Sequence, residues 1–240
     1  MNPESLPPEE SDGRFHYSYR LPTAPPSDAV PITFEEAEKD LISKIQPEDP
    51  VDGMWNLAQF YKQTGNVERA SEVFRALLEK VESLEVKAQV VMALGQTAEK
   101  AQDFELAVRF YKEAVRLEPC DTLVWYFIHN NLGYSLNQLG RFAEGETYCR
   151  RALQITTKLP NAFKNLGLSL VGQGRYADAA KCFVAATQAD AADPRSTRHL
   201  EELLSEHPEL EFEFGHYLVA CKAAVEAVRK KAQERSQGTA

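Results

Sequence analysis

Apolar residues recur at three- and four-residue intervals from Val51 to about Ala192. This spacing places side chains on one face of an α-helix. One run shares a single helical face: Val67, Ala70, Val73, Phe74, Leu77 and Leu78. Turn signals such as Gly65, Gly140 and Gly174 break the runs, and no segment of useful length alternates apolar and polar residues as a strand would. The pattern predicts an all-α region of helix pairs.

A longer repeat overlies this pattern. In four segments a Leu is followed 13, 17 and 20 residues later by a small residue, a mostly aromatic position and a third, mostly small residue. The sets are Leu57, Ala70, Phe74, Leu77; Leu94, Ala107, Tyr111, Ala114; Leu132, Gly145, Cys149, Ala152; and Leu166, Ala179, Phe183, Ala186. The Leu advances by 37, 38 and 34 residues, a period typical of solenoids. The two longer steps predict lengthened helices or loops at 82–88 and 118–126.

A small residue follows each repeat Leu: Ala58, Gly95, Gly133 and Gly167. With the spacing above, these positions resemble the tetratricopeptide repeat over about 140 residues. The resemblance implies four repeats in 51–192, forming a right-handed α-solenoid of antiparallel helix pairs. The glycines should face small residues on the second helix of each pair, because backbones approach closely only where both sides lack bulk. Phe74, Tyr111 and Phe183 would fill space between successive pairs.

The flanking segments differ in composition. Residues 1–32 hold seven of the thirteen prolines, which predicts a disordered tail; within it, the aromatic segment 14–20 is a recognition element or, preferably, an anchor. Thr33 and Glu36 form a capping box, predicting a helix at about 34–46 within a leading unit of 33–50. Asp193-Pro194 and His207-Pro208 predict starts of C-terminal capping helices over 193–235 with a polar outer face. Residues 236–240 are predicted to be disordered.

Composition limits the partners. The net charge of −9 argues against nucleic acid, which requires clustered cations. No run of about 18 apolar residues indicates a membrane helix, and the acidic, Pro-rich start does not resemble a secretion signal. Four widely separated cysteines without a C-x-x-C pair predict free thiols in the cytoplasm. The oligomeric state stays open.

In this family the residue before the repeat Leu lines the groove formed by the first helices. Here those positions are Asn56, Ala93, Asn131 and Asn165, and an amide can pair with any peptide backbone. The predicted peptide-binding residues are Asn56, Gln59, Gln96, Asn131, Tyr134, Asn161, Lys164 and Asn165. Alternatively, the asparagines only satisfy neighbouring helices. The wall, which we expect to include Trp55 and the charged residues Lys62, Lys100, Asp52 and Glu99, suits an extended, weakly charged peptide. Trp125 and Tyr126 would anchor a ligand or, preferably, fill the core.

Catalytic motifs are weak. The segment 172–177 fits a loose dinucleotide fingerprint but lacks a preceding strand, so we interpret it as a turn. The pairs His199/Glu202 and His207/Glu211 are too few ligands for a metal. The chaperone-carboxylate subtype of the family is rejected, because only Asn131 fits its pattern. We therefore predict a non-enzymatic scaffold, without cofactor or metal, that binds an extended peptide of another protein. The alternative is a small acidic chaperone of this family for a specific client or secreted protein.

Overall fold

The computed structural model describes residues 33–237, and all regular secondary structure within that range is helical. The α-helices are α1 Phe34–Ser43, α2 Val51–Gln63, α3 Val67–Leu78, α4 Leu84–Lys100, α5 Phe104–Arg116, α6 Thr122–Gln138, α7 Phe142–Ile155, α8 Pro160–Val171, α9 Tyr176–Ala189, α10 Arg195–Glu206 and α11 Glu211–Gln237. A single 3-10 turn, Pro208–Leu210, precedes α11. None of the described helices combines the length and apolarity needed to span a bilayer. The all-α prediction is confirmed.

Helices α2 to α9 form four consecutive pairs, as the repeat predicts. Three of the turns inside the pairs contain a glycine with positive φ: 84° at Gly65, 71° at Gly140 and 70° at Gly174. The α4–α5 turn instead places Gln102 at φ 63°, where a non-glycine residue is less favoured. The two longer repeat steps lengthen first helices, because α4 and α6 have 17 residues each, whereas α2 has 13 and α8 has 12.

In the last three repeats, the glycine after the repeat Leu allows close packing within its pair. A Cβ added to Gly95 would lie 2.5 Å from the Tyr111 ring, and one added to Gly167 would lie 2.5 Å from the Phe183 ring. The equivalent atom on Gly133 would lie 2.5 Å from Cys149 Sγ. The prediction of close approach is confirmed, with one correction. The large side chain of the second helix lies over the glycine of its own pair, rather than only between successive pairs.

The first helices form the inner wall of the solenoid. Helix α6 packs directly against both α4 and α8, whereas the second helices α3, α5, α7 and α9 lack comparable mutual packing within the described range. Elements on the inside of a curved stack are closer together than those on the outside. We therefore define the inner wall as the mutually facing surfaces of α2, α4, α6 and α8.

The N-terminal end follows the predicted capping box. The Thr33 hydroxyl accepts from the Glu36 amide at 3.2 Å, and Glu36 accepts from the Thr33 amide at 2.8 Å. Helix α1 nevertheless ends at Ser43, before the predicted residue 46, so Pro47 and Pro50 lie in the following loop. The predicted disordered tail 1–32, with its aromatic segment 14–20, lies outside the described residues, as do residues 238–240.

The C-terminal helices α10 and α11 pack against the last repeat. Asp193 Oδ1 accepts from the Arg195 amide at 3.0 Å. Helix α10 begins at Arg195 with Pro194 as its N-cap, one position later than Asp193 as the cap would predict. Helix α11 packs Phe214 and Cys221 into the core and continues to Gln237, two residues beyond the predicted end. The sequence predicts a polar outer face for these helices. The outer surface of α11 is not uniformly polar, however, because Phe212 is 99% exposed.

Candidate functional site

A row of amides joins α6 and α8 across the inner wall. Asn165 Nδ2 donates to Asn130 Oδ1 at 3.0 Å, and Asn130 Nδ2 donates to Asn131 Oδ1 at 2.9 Å. Asn165 is only 4% exposed, and its Oδ1 has no hydrogen-bond partner among residues 33–237. Asn131 is half-buried. The Asn165 end of the row is therefore buried, and the Asn131 end is closer to solvent.

A second, buried pair of polar residues lies beside this row. Asn137 Nδ2 donates to the Asn165 carbonyl oxygen at 2.8 Å, and the Ser169 hydroxyl donates to Asn137 Oδ1 at 2.8 Å. Sequence reasoning missed both residues. A signal was present, because Asn137 lies five positions after its repeat Leu, where the first two repeats have Lys62 and Glu99. The pair ties α6 to α8 and satisfies buried backbone.

The N-terminal half of the inner wall contains charged groups. Lys62 Nζ donates to Gln96 Oε1 at 2.7 Å, and the Ser135 hydroxyl donates to Glu99 Oε1 at 2.6 Å. Burial lowers the pKa of Lys62 to about 8, with a further contribution from Lys100. Burial also raises the pKa of Glu99 to about 7. Both shifts arise because a charged group loses hydration in the wall.

Two tyrosines lie near Glu99. The hydroxyl of Tyr111 is buried near Asn131 and Glu99 without a well-aligned hydrogen bond to either, and burial followed by the charge of Glu99 raises its pKa. Tyr134 is half-buried, and its ring contacts Phe104 edge-on at 6.1 Å between centroids. Its pKa is raised by burial and then by Glu99. The carboxyl of Glu99 thus lies near the hydroxyls of Ser135, Tyr111 and Tyr134. Among the described residues it forms no direct ion pair with a cation.

All eight predicted site residues lie on first helices. Asn56 and Gln59 are on α2, Gln96 on α4, Asn131 and Tyr134 on α6, and Asn161, Lys164 and Asn165 on α8. All are half-buried except the buried Asn165.

Some of these predicted residues form hydrogen bonds with neighbours on the inner wall. Gln96 is bonded to Lys62, and Asn131 and Asn165 are each bonded to Asn130. Among the described residues, Asn56, Gln59 and Asn161 form no such hydrogen bond with the wall residues. The amide of Asn165 therefore satisfies a neighbouring helix, as the alternative interpretation predicts. Its contact with a peptide stays a prediction.

The large aromatic residues separate into core and surface. Trp55, expected on the wall, is buried and packs edge-on against Phe74 at 5.6 Å between ring centroids, so that expectation is wrong. Tyr126 fills the core as preferred, and its hydroxyl accepts from the Ala162 amide at 3.1 Å. Trp125 is only half-buried, and it lines a cavity of about 420 Å³ with His129 and residues of α5 and α7.

The structure places the weak catalytic patterns in a turn and on the surface. Residues 172–177 lie in the α8–α9 turn and the start of α9, as predicted. His199 Nδ1 and Glu202 Oε2 are 3.3 Å apart on the surface, and no group of three potential metal ligands occurs between residues 33 and 237. All four cysteines are free, and burial raises the pKa of Cys149 to about 12, so it stays a thiol. The inner wall offers hydrogen bonds and charge for binding.

Family models agree with this geometry. Two models described as tetratricopeptide repeat match residues 126–192 and 55–121, which together are more than half of the chain. The chain belongs to the tetratricopeptide repeat family. The two matched segments coincide with the second pair of repeats and the first pair, respectively.

Similar proteins are longer than this chain. Human tetratricopeptide repeat protein 7B is 27% identical over 168 residues, which are 67% of this chain and 20% of that protein. The peroxisomal targeting signal receptor of Candida albicans is 32% identical over 94 residues, 39% of this chain and 15% of the receptor. The chain thus spans about a fifth or less of these two relatives.

Two solved structures share the fold at low sequence identity. BtubC from P. vanneervenii superposes with a TM-score of 0.68 at 16% identity, covering 85% of this chain and 93% of that one. MamA from Desulfovibrio magneticus RS-1 gives 0.56 at 16% identity, covering 80% and 98%. These two chains therefore share the helical solenoid fold of this protein.

Proposed function

We propose that this tetratricopeptide repeat protein is a non-enzymatic adaptor that holds an extended segment of a partner protein against its inner wall. The observation that carries the proposal is the placement of all eight predicted residues on the four first helices, with seven of them half-buried. Half-buried amides on a concave surface keep polar atoms near solvent, where a peptide backbone can pair with them.

The amide row gives the proposal a specific contact. Asn131 accepts a hydrogen bond from Asn130 through Oδ1, and its NH₂ group, which lies near the Tyr111 hydroxyl, has two N–H donors, one of which suits a peptide carbonyl. A relative is a receptor for a targeting signal, which supports peptide binding as the role of similar repeats. The cytoplasmic location stays a prediction.

Selection from a library of random displayed peptides tests the proposal without a known partner. Asn131→Ala should weaken the selected peptides about fivefold to tenfold, because one hydrogen bond contributes about 1 kcal/mol. Its melting temperature should change little. Gln188→Ala, which removes an exposed amide from the outer helix α9, is the matched control and should bind as the wild type does.

Equal peptide affinity for Asn131→Ala and wild type would contradict the proposed contact. An equal loss of stability and affinity would make Asn131 a structural residue. The chaperone alternative predicts a different result, namely co-purification with one client that aggregates when this protein is absent.

A further inference from the structure

Lys62 is a half-buried cation of the inner wall, and Glu99 attracts it only at longer range. Its ammonium donates to Gln96 Oε1 at 2.7 Å and lies 5.9 Å from the centre of the Phe74 ring, but it makes no ion pair with any residue from 33 to 237. An ammonium group has three N–H donors. A half-buried cation with so few partners is costly to the folded protein. Lys62 therefore has donor capacity available on the surface proposed to hold a peptide.

The charges around Lys62 favour an anion. Lys100 Nζ donates to the backbone carbonyl oxygen of Lys62 at 2.7 Å. Its charge also lowers the pKa of Lys62, so both ammonium groups lie on this part of the wall. Lys100 affects the pKa of Lys62 more strongly than Glu99 does. Glu99 is also only partly ionised near neutral pH, because its pKa is about 7. The local charge is thus positive, although the whole chain carries −9.

We propose that Lys62, Gln96 and Lys100 form a subsite for the carboxylate of an acidic side chain, an Asp or Glu of the bound peptide. The carboxylate accepts a hydrogen bond from the Lys62 ammonium. The amide NH₂ of Gln96 provides a second donor, and Lys100 adds attraction at longer range. This subsite rests on the proposed function, and it replaces the weakly charged ligand expected from sequence with an acidic one.

A basic ligand fits this place less well. The carboxyl of Glu99 already accepts from Ser135 at 2.6 Å, and the pKa of Tyr134 is raised partly by this neighbouring carboxyl. A cationic side chain seated on Glu99 would also have to approach Lys62 and Lys100. Like charges at close range in a partly desolvated site repel strongly.

The test selects displayed random peptides of about a dozen residues at neutral pH on four proteins. These are the wild type, Lys62→Met, Gln96→Glu and the control Lys181→Met. Methionine keeps most of the aliphatic length of lysine, and Gln96→Glu supplies an internal carboxylate to Lys62. Lys181 is exposed on the outer helix α9. Circular dichroism melts confirm that each variant is folded.

Wild type and Lys181→Met should enrich peptides with an acidic residue at one position, and this preference should disappear in Lys62→Met and Gln96→Glu. Replacing that acid by its amide should weaken binding to the wild type about tenfold or more, because a charged hydrogen bond is lost. The same replacement should weaken binding to Lys62→Met less than about twofold.

Four outcomes would overturn the subsite. Selected peptides that Asn131→Ala weakens but that lack an acidic preference would refute the subsite alone. An acidic preference that persists in Lys62→Met, or a basic preference in the wild type, would also refute it and leave peptide binding intact. Failure to select any peptide would refute the proposed function together with the subsite.

Discussion

Gly133→Ala is the smallest change that tests the close approach of α6 and α7. An added Cβ would lie 2.5 Å from Cys149 Sγ, 3.1 Å from the Gly145 carbonyl oxygen and 3.2 Å from the Cys149 amide nitrogen. Two of these neighbours are backbone atoms that no rotamer change can move, so the helices must separate. Overpacking of this kind costs about 1–3 kcal/mol, and the higher helix propensity of alanine returns up to about 1 kcal/mol.

We therefore expect Gly133→Ala to lower the free energy of unfolding by about 1–2 kcal/mol. Urea unfolding followed by circular dichroism measures the change, with calorimetry as a check on two-state behaviour. In a Cys149→Ala background the Sγ contact is absent, so the same substitution should cost less, with a coupling of about 1 kcal/mol. A Gly133→Ala protein as stable as the wild type, or more stable, would refute the close approach.

Three further predictions concern single side chains. The folded-state pKa of Glu99 is about 7 against an ordinary 4.5, so its stabilising contribution is complete below 4.5 and is lost as pH rises through 7. As pH rises from roughly 5 to 8, the free energy of unfolding of Glu99→Gln should therefore increase by about 2 kcal/mol relative to that of the wild type, as thermal melts would measure. Asn165→Ala should lower the free energy of unfolding by about 1–2 kcal/mol, because the buried amide of Asn130 loses its donor; an unchanged midpoint in urea would contradict this. Asp121 Oδ1 accepts from two amides of α6, so Asp121→Ala should lower the melting temperature, at a cost of about 1 kcal/mol. No change would exclude the cap.

The repeat could be predicted because its signal is local. Helix periodicity follows from 3.6 residues per turn, and the spacing from Leu132 to Gly145 and Cys149 fixes which residues of a hairpin meet. The same geometry explains why Gly95 and Gly167 mark the close contacts. The partner of each glycine required the structure, because a ring such as that of Tyr111 reaches across its own hairpin.

The burial, hydrogen-bond partners and pKa shifts of the wall residues could not be predicted from their position in the repeat. Asn131 and Asn165 hold the same place in successive repeats, but only Asn165 is buried. Its amide meets Asn130 on α6, a contact between different repeats that depends on how they stack. The pKa shifts of Lys62 and Glu99 have the same origin, since desolvation depends on all surrounding atoms. Helix α11 extends two residues beyond the predicted boundary at 235, and the exposed residues of its last turns carry no apolar pattern that would mark its end.

Peptide binding at the inner wall is tested most directly by a crystal structure of this protein with a peptide selected from the random library. We expect an extended peptide along α2, α4, α6 and α8, with its backbone at Asn131 and an acidic side chain at Lys62. A peptide bound on the outer helices α3, α5, α7 or α9, or on α11, would contradict it.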